Sequence, residues 1–234
     1  MRAVILAGGR GSRLAPYTTV FPKPLLPVGD RPILDVILRQ LAEAGFDRVT
    51  LAVGYKFELL MAYFGDGSQY GLELDYSREA GALGTAGPLL LVRDFEDPTL
   101  VMNGDILCSI DFEELIGYHK RNGGVATIAT FSRRINVDFG VIEMDNAHQL
   151  TAYREKPTHE YKVSMGIYVF SPVVLNSIPA ERHFDFPDLV QALLGVGKPV
   201  NCYPFDGFWL DVGRREDYEL ANQDWEDIRN KLKL

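Results

Sequence analysis

The chain has 234 residues, of which 47% are hydrophobic and 24% charged, and a formal net charge of -8. That length and apolar content support a sizeable core, and the acidic balance argues against a nucleic-acid-binding face, which needs clustered Lys and Arg. Only two cysteines occur, Cys108 and Cys202, too far apart for a zinc knuckle or a CxxC redox pair, so two reduced, partly buried thiols of a cytosolic protein are expected.

Residues 2–7 contain the apolar run Ala3-Val4-Ile5-Leu6 and read as a strand buried on both faces. It opens directly into Leu6-Ala7-Gly8-Gly9-Arg10-Gly11-Ser12-Arg13-Leu14. Three glycines let the backbone turn tightly and bring N–H groups close to a ligand. No Asp or Glu precedes Asp30, so Arg2, Arg10, Arg13 and Lys23 stand unopposed in the first 29 residues, while the remainder carries roughly -12. A carboxylate-free glycine loop in an acidic protein points to an anion site, most simply for phosphates. The short apolar run is not the pattern of a signal peptide, and no apolar stretch approaches the roughly 20 residues needed to span a bilayer. A cytoplasmic location is the expectation.

A proline-broken passage, 16–32, is too interrupted for a long helix. The apolar spacing over 33–41 is helical, with Gly45 ending it. A strand follows at 48–53, a helix at 57–64, a strand at 72–76, a short helix at 85–92 and a strand at 99–102. This alternation predicts a parallel sheet covered on both faces. A helix at 111–121 precedes four strands, at 125–130, 140–143, 149–154 and 163–170, which suggest a mixed sheet carrying an antiparallel ribbon. A last helix is expected from about 214 toward 232. No Gly/Ser linker separates the halves, so 1–234 reads as one domain with a first lobe of about 1–122 and a second of about 123–234.

The glycine loop is neither a Walker A motif nor a dinucleotide fingerprint, because Leu14 stands where a third glycine should. Asp105 ends an apolar strand in Asn103-Gly104-Asp105, and Asp211 ends another run in Phe208-Trp209-Leu210-Asp211-Val212-Gly213. A lone Asp at a strand end is most simply a cap. Two in one context, beside a phosphate loop, suggest a shared Mg²⁺, which takes one or two protein carboxylates plus phosphate oxygens. Lys156, in Glu155-Lys156-Pro157, is a compact charge suited to a phosphate monoester or a surface ion pair. The four histidines, His119, His148, His159 and His183, have no metal-ligand spacing and read as solvated surface.

Taken together, LAGGRGSRL (6–14), FPKPLLPV (21–28), LGTAG (83–87), NGD (103–105), EKP (155–157), GIYVF (166–170) and WLDVGRREDY (209–218) resemble the sugar-1-phosphate nucleotidyltransferase family over essentially the whole chain. The resemblance implies an α/β fold: a Rossmann-like mixed, mostly parallel sheet with helices on both faces and a small antiparallel insertion. It implies a reaction of a nucleoside triphosphate with a sugar 1-phosphate, giving an NDP-sugar and pyrophosphate, with Mg²⁺ as cofactor. It also implies roles. The backbone of Gly8, Gly9 and Gly11 holds the triphosphate, within a nucleotide site that takes in Leu6, Ala7, Ser12, Glu79, Gly84, Thr85 and Asp105. Arg13 stabilises the departing pyrophosphate, Lys23 meets the phosphates, and Asp105 and Asp211 hold the metal. Lys156 grips the sugar phosphate, Glu155 and Gly140 contact the sugar, and Gly166 lines that pocket.

In the family that the chain resembles, the side chain five positions before the LGTAG-type glycine reads the base edge, which implies that role for Glu79, five positions before Gly84. A carboxylate only accepts hydrogen bonds. Guanine offers two adjacent donors, whereas uracil and thymine offer one N–H flanked by acceptors. GTP is therefore expected, with mannose or heptose 1-phosphate as acceptor. Uridylyl, thymidylyl or cytidylyl transfer, or a non-catalytic NDP-sugar-binding subunit, are the alternatives. Many relatives carry Asn-Ala before the glycine of GIYVF, where this chain has Ser164-Met165. The chain resembles short family members without a hexapeptide-repeat extension, which implies neither acetyltransfer nor a β-helix trimer and leaves another homo-oligomer open. No nucleic-acid or membrane partner is expected.

Overall fold

The computed structural model describes residues 1–233. In chain order the elements are β1 (Arg2–Ala7), α1 (Tyr17–Val20), β2 (Pro27–Val28), β3 (Arg31–Pro32), α2 (Ile33–Glu43), β4 (Arg48–Val53), α3 (Phe57–Phe64), β5 (Glu73–Arg78), β6 (Thr99–Asn103), β7 (Ile106–Cys108) and α4 (Phe112–Asn122). There follow β8 (Ala126–Asn136), β9 (Val141–Met144), β10 (Leu150–Arg154), β11 (Thr158–Phe170), α5 (Phe186–Gly195), β12 (Val200–Phe205), β13 (Trp209–Asp211), α6 (Arg215–Gln223) and α7 (Trp225–Leu232).

One seven-stranded sheet runs through the molecule in the order β12-β8-β11-β6-β1-β4-β5. Every strand runs the same way except β11, which is antiparallel to both β6 and β8. The sheet is thus mixed and mostly parallel, as the alternation of elements required. Continuous apolar runs suit strands covered on both faces. Ala3, Ile5 and Met102 face one core with α2, and Val4, Val101 and Phe170 face a second with α5. Fully burying a side chain the size of Leu or Ile contributes about 1.5–3 kcal/mol, so these two layers carry most of the stability.

Several elements depart from the sequence reading. The 85–92 segment is a 3₁₀ helix at Gly87–Leu91. β5, at Glu73–Arg78, begins one residue and ends two residues later than expected. β8 and β11 run on to Asn136 and back from Thr158, paired with each other through polar residues that show no apolar periodicity. The last helix is two helices, parted at Asp224. The break lets Trp225 bury itself against Gly29, where a Cβ would lie 2.0 Å from the indole ring. Asn222 then accepts from the Gly29 N–H at 3.1 Å. His119 is not solvated surface. It is buried, with Nδ1 2.8 Å from Thr127 Oγ1, and desolvation lowers its pKa. Cys108 is buried, as expected of a quiet thiol, but Cys202 is exposed. Among the described residues no helix is long and apolar enough to cross a membrane.

Candidate active site

A cleft of about 790 Å³ opens at the carboxyl ends of β1, β4, β5 and β6. This is where ligands bind in open α/β sheets, because the loops leaving parallel strands converge there. Its walls include Leu6, Ala7, Gly8, Gly9, Arg10, Gly11, Ser12, Arg13, Lys23, Glu79, Gly84, Thr85 and Asp105. Every residue read from the sequence as nucleotide-binding therefore lies on one cavity.

The glycine loop leaves β1 and turns at Gly11, whose φ of +62° suits glycine. A Cβ there would also press on the Thr18 methyl at 2.8 Å. The Thr18 hydroxyl donates to the Gly11 carbonyl at 2.8 Å and holds the turn. Arg10 and Arg13 follow exposed, with no ion pair to any described residue, so their charge is available to an anion. Lys23 is set differently. Prolines on both sides fix its backbone in a 3₁₀ turn, and its side chain is buried against Asp105 in an ion pair.

Asp105 owes its place to Gly104, whose N–H donates to the Leu6 carbonyl at 2.9 Å and draws the end of β6 onto the glycine loop. One carboxylate oxygen, Oδ2, meets Lys23. The other, Oδ1, is buried without a hydrogen-bond partner among the described residues. A buried carboxylate oxygen left bare is costly unless a donor or a cation reaches it. Asp211 stands next to it: β13 pairs with β7, and Val212 N–H donates to the Asp105 carbonyl at 2.9 Å. The Asp211 carboxyl is raised above its ordinary pKa, first by desolvation and then by the charge of Asp105, against the opposing pull of Lys23 and Arg13. Two carboxylates that repel each other thus meet beside two cationic side chains, Lys23 and Arg13. Among the described residues there is no group of three or more His, Cys, Asp and Glu able to hold a metal.

The neighbourhood of the glycine loop is not carboxylate-free in space. Glu79 arrives from β5 and lies directly over it, such that a Cβ at Gly8 would come within 2.7 Å of Oε1. Its other oxygen accepts from Leu83 N–H at 3.0 Å. The carboxylate is thus inside the cleft. Gly84, at φ +81°, has no room for a side chain, because a Cβ would lie 2.6 Å from the Phe184 carbonyl. Tyr55, Arg78 and Asp185, not singled out from the sequence, also line the cleft, and so does His183, which was read as solvated surface. The Arg78 guanidinium lies 4.2 Å from the centre of the Phe57 ring. No local motif marks these four; topology alone brings His183 and Asp185 to Thr85.

The residues assigned to the sugar phosphate are less gathered. Gly166, at φ +73°, sits in a bulge of β11 against Asn103, whose amide would be 2.6 Å from a Cβ. It lies beside the end of β6, next to the cleft. Gly140 and Glu155 meet instead at the base of the β9–β10 hairpin: the Tyr153 ring covers Gly140, and its hydroxyl donates to Glu155 Oε2 at 2.8 Å. Lys156 is exposed on the β10–β11 loop at φ +43° and makes no ion pair with a described residue. Glu155, Lys156, Gly140 and Gly166 are not on the walls of the 790 Å³ cleft.

Fold and cleft together define an α/β protein with a glycine-loop cleft at the carboxyl edge of a mostly parallel sheet. The chain belongs to the nucleotidyl transferase family, whose model matches residues 2–228. It is 32% identical to a UTP–glucose-1-phosphate uridylyltransferase of Synechocystis, with 99% of this chain and 63% of that protein covered. It is 33% identical to a mannose-1-phosphate guanyltransferase of Debaryomyces hansenii, over 93% of this chain and 62% of that one. The chain thus spans under two thirds of the length of these curated relatives. A crystal structure from Bacillus anthracis, provisionally described as a glucose-1-phosphate thymidylyltransferase and bound to sucrose, superposes with a TM-score of 0.77 at 28% identity, covering 95% of this chain and 94% of that one.

Proposed function

We propose that the protein transfers a nucleotidyl group from a nucleoside triphosphate to a sugar 1-phosphate, releasing pyrophosphate. The observation that carries this reading is the Lys23–Asp105 pair with its bare Asp105 Oδ1, set between the glycine loop and Asp211. The relatives act on sugar 1-phosphates by name, and three different bases are named among them.

In this reading the sugar phosphate oxygen attacks the α-phosphorus in line. A new O–P bond forms as the α–β bridging bond breaks, and pyrophosphate leaves with the electron pair. No covalent enzyme intermediate is needed, so catalysis is positioning and charge stabilisation. The N–H groups of Gly8, Gly9 and Gly11 hold the triphosphate. Arg13 meets the charge that grows on pyrophosphate, and Lys23 stands at the reacting phosphate. Lys156 holds the incoming monoester, with Glu155 and Gly140 toward the sugar and Gly166 beside the reacting end. Asp105 and Asp211 fit a divalent cation, Mg²⁺, because one bare buried oxygen and one carboxyl of raised pKa are both relieved by a positive charge. The chemistry that ion supplies when bound is neutralisation of phosphate charge.

Glu79 supports GTP as the donor, and the likeness to a mannose-1-phosphate guanyltransferase supports a mannose-type 1-phosphate as acceptor, with a heptose-type one beside it. The Glu79 carboxylate lies inside the cleft as an acceptor, suited to the paired donors of guanine. The experiment is a panel of GTP, UTP, dTTP and CTP crossed with mannose, glucose and heptose 1-phosphates, scored by pyrophosphate release. GTP should be fastest. Turnover with dTTP or UTP and none with GTP would refute the reading of Glu79. Binding of NDP-sugars without turnover of any pair would make the chain a regulatory subunit.

A further inference from the structure

The loop that carries Glu79, Gly84 and Thr85 is not held mainly by its own half of the molecule. Phe184 N–H donates to the Leu83 carbonyl at 2.9 Å, and the N–H groups of Ala86 and Gly87 both donate to the Phe184 carbonyl at 3.0 Å. Asp185 Oδ1 accepts from Thr85 N–H at 2.8 Å and from the Thr85 hydroxyl at 3.1 Å. The Thr85 hydroxyl in turn accepts from Phe186 N–H at 2.9 Å. Six hydrogen bonds thus fasten the loop to the entrance of α5, about 100 residues away. Gly84 is caught between, against Phe184 and Asp185. At its other side the loop is pinned by Glu79, which accepts from Leu83 N–H at 3.0 Å.

Asp185 occupies the N-cap position of α5, where a carboxylate ordinarily turns back onto its own helix. It does so here, in a reciprocal capping box with Asp188, and its Oδ1 also holds Thr85. The Asp185 N–H is met by Asp188 Oδ2 at 3.0 Å. Asp185 therefore serves both the helix start and the loop, whereas Asp188 serves the helix start alone.

We propose that Asp185 is a positioning residue for base selection: by fixing Thr85 and Gly84 it sets the distance between the loop backbone and the Glu79 carboxylate across which a base edge is read. This rests on the nucleotidyl-transfer reading above. A base edge is told apart by donors and acceptors held at fixed spacing, and a loop free to shift would satisfy several bases almost equally. The clamp bears on the triphosphate, not on the sugar 1-phosphate.

The test compares Asp185→Ala, Asp185→Asn and Asp188→Ala in steady-state kinetics with each triphosphate. Losing charge-assisted bonds of this kind should raise KM for the preferred triphosphate about tenfold and lower its kcat/KM advantage over the next triphosphate by roughly fivefold or more. Saturated kcat and KM for the sugar 1-phosphate should stay within about twofold of wild type. Asp185→Asn keeps the Oδ1 acceptor and should restore most of the discrimination. Asp188→Ala should lower Tm while leaving discrimination intact. Unchanged discrimination in Asp185→Ala, an equal loss in Asp188→Ala, or a parallel fall in kcat and sugar affinity would overturn the proposal. If Asp185→Ala does not fold, Thr85→Val removes the hydroxyl bridge and should blur base choice in the same direction. If wild type turns over nothing, the transfer reading fails by itself, and the Kd values of GTP and UTP in the same variants still decide the clamp. Equal affinity of wild type for both would overturn it.

Discussion

The proposed nucleotide half and the proposed sugar half of the site are built by different means. The first stands on buried parallel strands: Ala7 and Lys23 are buried, and the loop ends are fixed by backbone bonds such as Gly104 to Leu6. The second stands on a ribbon beyond the sheet, where Ile142, Met144, Leu150 and Tyr153 are all exposed and Phe139 is 78% exposed. Charges differ in the same way. Lys23 is paired with Asp105 inside the protein, whereas Lys156 is exposed and makes no ion pair with a described residue. A site on rigid elements is complete before its ligand arrives, while one on an exposed hairpin gains its order from the ligand. The nucleotide cleft should therefore behave as a preformed receptor and the sugar phosphate site as one completed by its substrate.

Substitutions on the two sides should separate cleanly. The largest effect is expected at Asp105. Asp105→Asn keeps the shape but removes the charge that answers Lys23, and kcat should fall by about 10²–10³, the usual scale for losing a preorganised electrostatic group. Intact turnover in that variant would remove the metal assignment. Lys156→Ala comes next. Loss of one charged hydrogen-bond donor corresponds to roughly 10–100-fold in KM for the sugar 1-phosphate, with KM for the triphosphate unchanged. A matching rise in the triphosphate KM would break the division into two halves.

The smallest effect is on stability, at Asp211. Its pKa is raised in the folded protein, so the native state binds a proton more readily than the unfolded chain. Stability from this group is present at low pH and lost as pH rises through the raised value. With chelator present at pH 7, Asp211→Asn should therefore raise Tm, by roughly 1–3 °C for a chain of this size, and the gain should vanish in acid. A lower Tm at pH 7 would mean that the carboxylate is already compensated.

Legibility in the sequence followed the same divide. β1, β4 and β6 were readable because strands covered on both faces are continuous apolar runs, and the glycine loop and Asp105 lie just past the ends of β1 and β6. β12 escaped because it is an edge strand carrying Pro204, and α5 because Pro187, which belongs in a first helical turn, resembles a breaker. With α5 unseen, neither Asp185 nor His183 could be brought to the cleft. The polar ends of β8 and β11 left no periodicity, since they pair with each other outside the core. Two readings changed in space. The loop free of carboxylates in sequence receives Glu79 from β5, and a histidine without a metal spacing, His119, is a buried hydrogen-bonding residue.

Titration calorimetry of GTP with Mg²⁺, in the absence of any sugar phosphate, into wild type and Lys156→Ala bears on the division itself. A preformed nucleotide cleft requires saturable binding to both proteins with Kd values within about twofold, since Lys156 belongs to the other half. GTP that binds only once mannose 1-phosphate is added, or binding that weakens about tenfold in Lys156→Ala, would contradict it.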